Sequence, residues 1–298
     1  MGFPVRWKLW WLSPQYAMTC SLIITTYNWK DALDLVLLSV RLQSQLPDEV
    51  IVADDGSRPD TRQLLLEHAR DFPVPLRHSW QEDAGFRAAR SRNRAIAAAT
   101  GEYIILIDGD MVLHPDFIAD HLWAAEHGSF VQGMRVLTWP EASTKLLQQR
   151  RVRLRPFEPG IRRRRHTVRS RLLARLALAT TRGRNRKGIK TCNQGWWRSD
   201  LVAVNGFDER FEGWGREDGD LAARAFQAGI DRRSLRFAGL ATHLHHNERH
   251  QDGESANDAH LADNLARGIS RAEAGLDRHL AEFAADPLPD LRHLSDLA

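Results

Sequence analysis

Apolar positions along this chain follow two alternating rhythms. Short aliphatic and β-branched runs, Ser21-Leu-Ile-Ile-Thr25, Glu49-Val-Ile-Val-Ala53 and Tyr103-Ile-Ile-Leu-Ile-Asp108, each end in a polar cluster. Such runs are the pattern of strands buried on both faces. Between them, residues 31–45 carry Leu33, Leu35, Val36, Leu38 and Val40 at spacings that fit a helix packed on a sheet. Residues 61–69 and 84–99 read as further helices, with Gly101 as the C-cap of the second. The order strand–helix–strand–helix–helix–strand predicts an α/β fold built on a doubly wound, mostly parallel, Rossmann-like sheet. Downstream, helices are expected at 116–126, 170–179 and 217–228, a strand at 234–237, and a polar amphipathic helical tail over 257–283.

Sheets of this kind bind ligands where strands present their C-terminal ends. Three polar clusters follow strands in this way: Thr25-Thr-Tyr-Asn28, Asp54-Asp55, and Asp108-Gly109-Asp110. Asp108 and Asp110 suit a divalent cation that neutralises a diphosphate. Taken alone, the same residues would make an ordinary Asp-Gly turn. Further on, Gly213 and Gly215 flank Trp214 just before Glu217 and Asp218. Tight glycine turns hold an indole at a surface, and an adjacent carboxylate is a candidate general base for a sugar hydroxyl. The plain alternative is a pair of acids favoured by a helix N-terminus. His243-Leu-His-His246 offers imidazole as a further ligand for Mn²⁺, although the additional His250 and His260 dilute that signal. Arg87 and Arg90, after Asp83-Ala-Gly85, are candidate phosphate contacts.

Together these motifs resemble an inverting family 2 glycosyltransferase of GT-A fold, over roughly residues 20–248. The first half carries Thr25-Thr-Tyr-Asn28, Asp54-Asp-Gly-Ser57, Arg92-Asn93 and the Asp-x-Asp at 108–110. The second half, Gly213-Trp-Gly-Arg-Glu-Asp218, is similar to the acceptor-side motif of galactosyltransferases and chondroitin-polymerase-like enzymes. The resemblance implies a UDP-sugar donor held by Thr25, Tyr27, Asn28, Asp55, Arg87, Asn93 and Asp108. Asp55 would accept from the uracil imide. It implies Mn²⁺ or Mg²⁺ on Asp108, Asp110 and His246, with His243 as second choice. It implies Asp218 as catalytic base, with Trp214, Gly215 and Glu217 against the acceptor sugar. Arg216 stands where galactosyltransferases have glycine, and Asn247 where relatives often have proline, departures that bear on the donor sugar. The implied acceptor is a surface glycan or glycolipid, such as lipopolysaccharide or capsule. A non-catalytic glycan-binding relative is one alternative. A nucleotidyltransferase is another, but it would be expected to carry a Gly-rich basic loop after the first strand, where this chain has Thr25-Thr-Tyr-Asn28.

Charge adds a second theme. The net charge is only +4, yet residues 150–190 hold 16 Arg or Lys and a single acid, Glu158. That block contributes +15, so the rest sums to −11. Leucines interleaved among arginines at 170–179 fit insertion into the surface of an anionic membrane. No nucleic-acid-binding pattern is present, so nucleic acid is not an expected partner. No run of about 18 apolar residues exists to span a bilayer. The Trp-rich segment 1–16 makes a poor signal peptide, and Cys20 and Cys192 are too few for a disulfide framework. A cytoplasmic enzyme, peripheral on the inner membrane face, is the expectation. The expected organisation is a leader (1–18), a nucleotide-sugar half (19–135), a basic, partly flexible insertion (136–190), an acceptor half (191–250) and a helical tail (251–298).

Overall fold

The computed structural model describes residues 18–155, 158–247 and 255–294. The leader with Trp7, Trp10 and Trp11, and the positions Glu248 and His250, lie outside the described residues. Eleven strands are described: β1 (Cys20–Thr26), β2 (Glu49–Asp54), β3 (Leu76–Trp80), β4 (Tyr103–Asp108), β5 (Met111–Leu113), β6 (Ser129–Gly133), β7 (Arg135–Thr138), β8 (Ile161–Arg162), β9 (Asn193–Trp197), β10 (Asp231–Leu235) and β11 (Ala241–His243). The helices are α1 (Lys30–Arg41), α2 (Pro59–Ala69), α3 (Ala88–Ala98), α4 (Phe117–Ala124), α5 (Pro140–Gln148), α6 (Arg171–Thr180), α7 (Arg198–Ala203), α8 (Glu217–Gln227), α9 (Ala256–Ala266) and α10 (Asp277–Ala285).

The main sheet has seven strands in the order β10-β6-β9-β4-β1-β2-β3, parallel except for β9, which runs antiparallel to both neighbours. The predicted α/β, doubly wound, mostly parallel architecture is therefore the observed one. Strand β1 shows the two-sided burial directly. Leu22 and Ile24 join Leu33 and Val36 of α1 on one face, while Ile23 joins Ala95 and Ile96 of α3 and Leu221 of α8 on the other. Fully burying such a side chain contributes roughly 1.5–3 kcal/mol. A smaller sheet, β5-β11-β7-β8, stands beside the end of β4.

Several sequence expectations shift. Strand β3 escaped the reading because Leu-Arg-His-Ser-Trp lacks an apolar run; it pairs at the sheet edge with β2 alone. Gly101 is not a helix cap: α3 ends at Ala98, with Ala99 extended. Gly101 instead packs against β1, where a Cβ would lie 2.6 Å from the Ser21 nitrogen. The strand expected at 234–237 begins earlier, at Asp231. The tail forms two helices, α9 and α10, broken around Gly268 (φ +62°). Within the basic block, several arginines have partners. Arg169 forms a two-pronged pair with the fully buried Asp120, Arg182 reaches Glu126 and Asp231, and Arg162 lies over the Trp139 ring. Among the described residues no helix is long and apolar enough to cross a membrane.

Candidate active site

The C-terminal ends of β1, β2 and β4 open into a cleft of about 1270 Å³, lined by Thr25, Tyr27, Asp55, Asp108, Asp110, Trp214, Gly215, Glu217, Asp218, His243 and His246. Most of the candidate residues thus meet in one place. The cleft exceeds the usual ~300–1,000 Å³ of a small-molecule site, and so has room for two substrates.

Local backbone chemistry explains the Asp-Gly-Asp turn. Gly109 passes so close to β1 that an added Cβ would sit 3.0 Å from the Thr25 carbonyl and 3.1 Å from the Thr26 hydroxyl. Its N–H donates to the Thr25 carbonyl at 2.7 Å. The chain then turns into β5, whose Met111 pairs with His243 of β11. That register places Asp110 beside Leu244, whose N–H donates to the Asp110 carbonyl at 3.0 Å. Side chains 133 and 136 positions apart are thereby joined: the Asp110 carboxylate lies 3.4 Å from His243 Nε2 and 3.2 Å from His246 Nε2.

These three residues are the group able to hold a metal ion among the described residues, with ligand atoms all within 4.8 Å of one another. Among the described residues the buried Asp110 Oδ1 has no hydrogen-bond partner. One carboxylate and two imidazoles, with an unmet carboxylate oxygen, fit a divalent cation of the Mn²⁺ type. Asp108 is not part of this group. Its carboxylate accepts from Arg92 Nη2 at 3.3 Å, and burial raises its pKa despite that arginine. His243, the second choice from sequence, stands in the cluster equally with His246.

Arg92 is the site residue that sequence reasoning quoted but gave no role. It is 5% exposed and donates to Thr25 Oγ1 at 3.2 Å, Glu217 Oε1 at 3.0 Å and Asp108. A single guanidinium so ties three segments of the cleft. Its place within a buried helical turn, among seven alanines or arginines of α3, was the available signal.

The second half of the site is set by α8. Glu217 and Asp218 occupy its first turn, beside Arg216 in the left-handed region at φ +79°. The helix is anchored by the buried Arg224–Asp220 pair at 2.7 Å, and Arg224 also donates to the carbonyls of Val204 and Gly206. Trp214 is exposed between Gly213 (φ +78°) and Gly215 (φ +97°), a conformation an L side chain adopts at a cost. Asn257 of α9 fastens this turn by donating to the carbonyls of Glu212 and Gly215. Burial, and then the neighbouring Glu217 charge, push the Asp218 carboxyl up to about 6. That value suits a general base working near neutral pH.

On the opposite flank, Asp55 accepts from Gln81 Nε2 at 2.6 Å and from the Arg87 N–H at 2.8 Å, and burial raises its pKa. Each oxygen keeps a second acceptor site. Tyr27 Oη donates to Asp83 at 2.9 Å beside it. Four expected donor-side residues do not line the cleft. Asn93 is fully buried, bonded to Phe207 and Glu209, and locks α3 to the loop after α7. Asn28 accepts from the Arg58 N–H and holds the β1 and β2 loops together. The Arg87 guanidinium donates to the Glu82 carbonyl, and Arg90 reaches Gln81. Cys192 lines the cleft, but burial pushes its thiol up to about 12, so it is no thiolate nucleophile at neutral pH.

Residues 21–191, more than half of the chain, match Glycosyl transferase family 2. The chain belongs to that family. Residues 179–247 of this family 2 chain also match the N-terminal domain of galactosyltransferase. Validoxylamine A glucosyltransferase of Streptomyces hygroscopicus subsp. limoneus is 28% identical over 70% of the chain and 48% of its own length. Chondroitin synthase of Escherichia coli is 24% identical over 73% of the chain and 34% of its own length. The chain thus spans half or less of these relatives. The S. aureus TarS 1-349 structure in complex with UDP-GlcNAc superposes with a TM-score of 0.57 at 16% identity, covering 93% of the chain and 73% of TarS 1-349. That likeness carries the GT-A fold. Family membership sets aside the nucleotidyltransferase alternative.

Proposed function

We propose that the chain transfers a sugar from a UDP-sugar to a hydroxyl of a glycan or glycolipid, with inversion at the anomeric carbon. One observation carries this reading: Asp110 and Asp218, far apart in sequence, line one cleft with Thr25, Tyr27 and Asp55. The nucleoside is assigned to Thr25, Tyr27 and Asp55, and the acceptor to Trp214 and Glu217. Asp110, His243 and His246 would hold a divalent cation, which supplies neutralisation of charge on the leaving diphosphate. Asp218 takes the acceptor hydroxyl proton while that oxygen attacks the anomeric carbon. The bond to the diphosphate breaks, and its electron pair leaves with UDP. One base on the acceptor side is sufficient, so no covalent sugar–enzyme intermediate is formed. The test is release of UDP from a panel of UDP-sugars with Mn²⁺. An absence of both UDP binding and turnover across the panel refutes the reading.

The proposal includes a cytoplasmic enzyme docked on an anionic bilayer through α6. Leu172, Leu173 and Leu176 are exposed there, at 72%, 42% and 58%, among Arg171 and Arg175. Apolar insertion beside cations fits a surface of anionic lipid headgroups.

A further inference from the structure

One wall of the cleft is cationic, and the transfer chemistry proposed above leaves it without a task. Arg184, Arg186, Lys187 and Lys190 all line the cleft. Their loop is held in place by its backbone. Arg232, 9% exposed, donates to the carbonyls of Asn185 at 3.0 Å and Lys187 at 2.7 Å. Gln132 bonds both the N–H and the carbonyl of Lys190, at 3.1 and 2.9 Å. A buried guanidinium thus fixes the backbone of a stretch whose exposed side chains carry like charge. Arg184 has a partner in Asp231, at 3.2 Å. Among the described residues no carboxylate stands within ion-pair distance of Arg186, Lys187 or Lys190, and all three are exposed.

Sheet order says which substrate this wall faces. Thr25 lies near the end of β1, and Tyr27 and Asp55 follow β1 and β2, all on one side of β4. The cationic loop leads into β9 and is bridged to β10 through Gly183 and Arg232, on the other side of β4. A donor reaching from the uracil site to Asp110 ends at β4. The wall lies beyond it, lining the same cleft as Glu217 and Asp218. A divalent cation held by Asp110, His243 and His246 would serve the diphosphate on that side of the cleft.

We infer that the 184–190 loop binds the acceptor, and that the acceptor is anionic, a glycan bearing carboxylate or phosphate groups near the attacking hydroxyl. This rests on the transferase reading above. Charge-assisted hydrogen bonds from Arg186 and Lys187 hold the acceptor strand, and the field of the wall gathers it at low salt.

The test uses the full chain with three probes: hexagalacturonate, its uncharged methyl ester, and a ribitol-phosphate hexamer. Binding is measured by calorimetry with and without added NaCl, beside UDP with Mn²⁺. At least one anionic oligomer should bind about tenfold tighter than the methyl ester, with the advantage shrinking as salt rises. The tighter of the two acids distinguishes carboxylate from phosphate. The double variant Arg186→Gln, Lys187→Gln should lose that tenfold preference and keep wild-type UDP affinity. The control Arg163→Gln, Arg164→Gln, away from the cleft, should keep both. Equal binding of acid and ester, an unchanged double variant, or an equal loss in the control overturns the inference. A double variant that weakens UDP as well moves the loop to the diphosphate and also overturns it. A wild-type chain that binds no UDP refutes the transferase reading instead.

Discussion

Arg92 Nη1 donates to Glu217 Oε1 at 3.0 Å, joining residues 125 positions apart inside the cleft. The same guanidinium holds Asp108, so the end of β4 and the start of α8 share one buried cation. Removing one partner of a buried pair costs about 3–5 kcal/mol, because the remaining charge is left uncompensated. Arg92→Met should therefore lower unfolding stability by about 3 kcal/mol in urea titration. Arg92→Lys should recover only part, since an ammonium lacks the fork that spans two carboxylates and a hydroxyl. Wild-type stability in Arg92→Met would count against the bridge.

Asp218→Asn should retain UDP binding while turnover falls by about 10²–10⁴, the usual contribution of a positioned base. In the wild type the pH dependence follows from burial of Asp218. Its carboxyl titrates near 6, and only the deprotonated form accepts a proton. The rate should fall about tenfold per pH unit below 6 and level off above it. A profile that is flat between pH 5 and 7 would assign the base elsewhere.

The same shift makes a stability prediction of opposite sense. The folded pKa of Asp218 lies above its ordinary value of 3.8. Its contribution is fully present below the unfolded pKa and lost as pH rises through about 6. Asp218→Asn should thus melt higher than wild type at pH 8, and the gap should close at pH 4.

Asp110→Ala should abolish the Mn²⁺-dependent part of the thermal shift produced by UDP, and EDTA should do the same to the wild type. His243→Ala and His246→Ala should each weaken it. An Mn²⁺ response that survives in Asp110→Ala would remove the metal assignment.

Leu172→Asp with Leu176→Asp should reduce binding to phosphatidylserine-containing vesicles by about tenfold or more, since both apolar insertion and local positive charge are lost. Wild-type binding should also weaken as salt rises. Absence of wild-type binding at low salt would end the membrane reading.

Much of this molecule was legible along the chain, and the limits have physical causes. Buried parallel strands announce themselves by unbroken β-branched runs, so β1, β2, β4 and the polar residues at their ends could be read directly. Asp108, Asp110, Glu217 and Asp218 follow from that reading, because a strand or helix end fixes where a short carboxylate side chain emerges. Pairings between distant segments carry no such signature. The β5–β11 register that seats His243 opposite Met111, and so builds a cluster of Asp110 with both histidines, exists only once two short strands meet. Asn93 and Arg92 stand side by side in one motif, yet the turn of α3 sends the first into the core and the second into the cleft. The basic block was visible as charge, but only its anchoring by Arg232 and Gln132 turns its last residues into a cleft wall. Local sequence determined which groups are present and which elements carry them. Long-range packing, with its register and burial, decided which of those groups share one low-dielectric space.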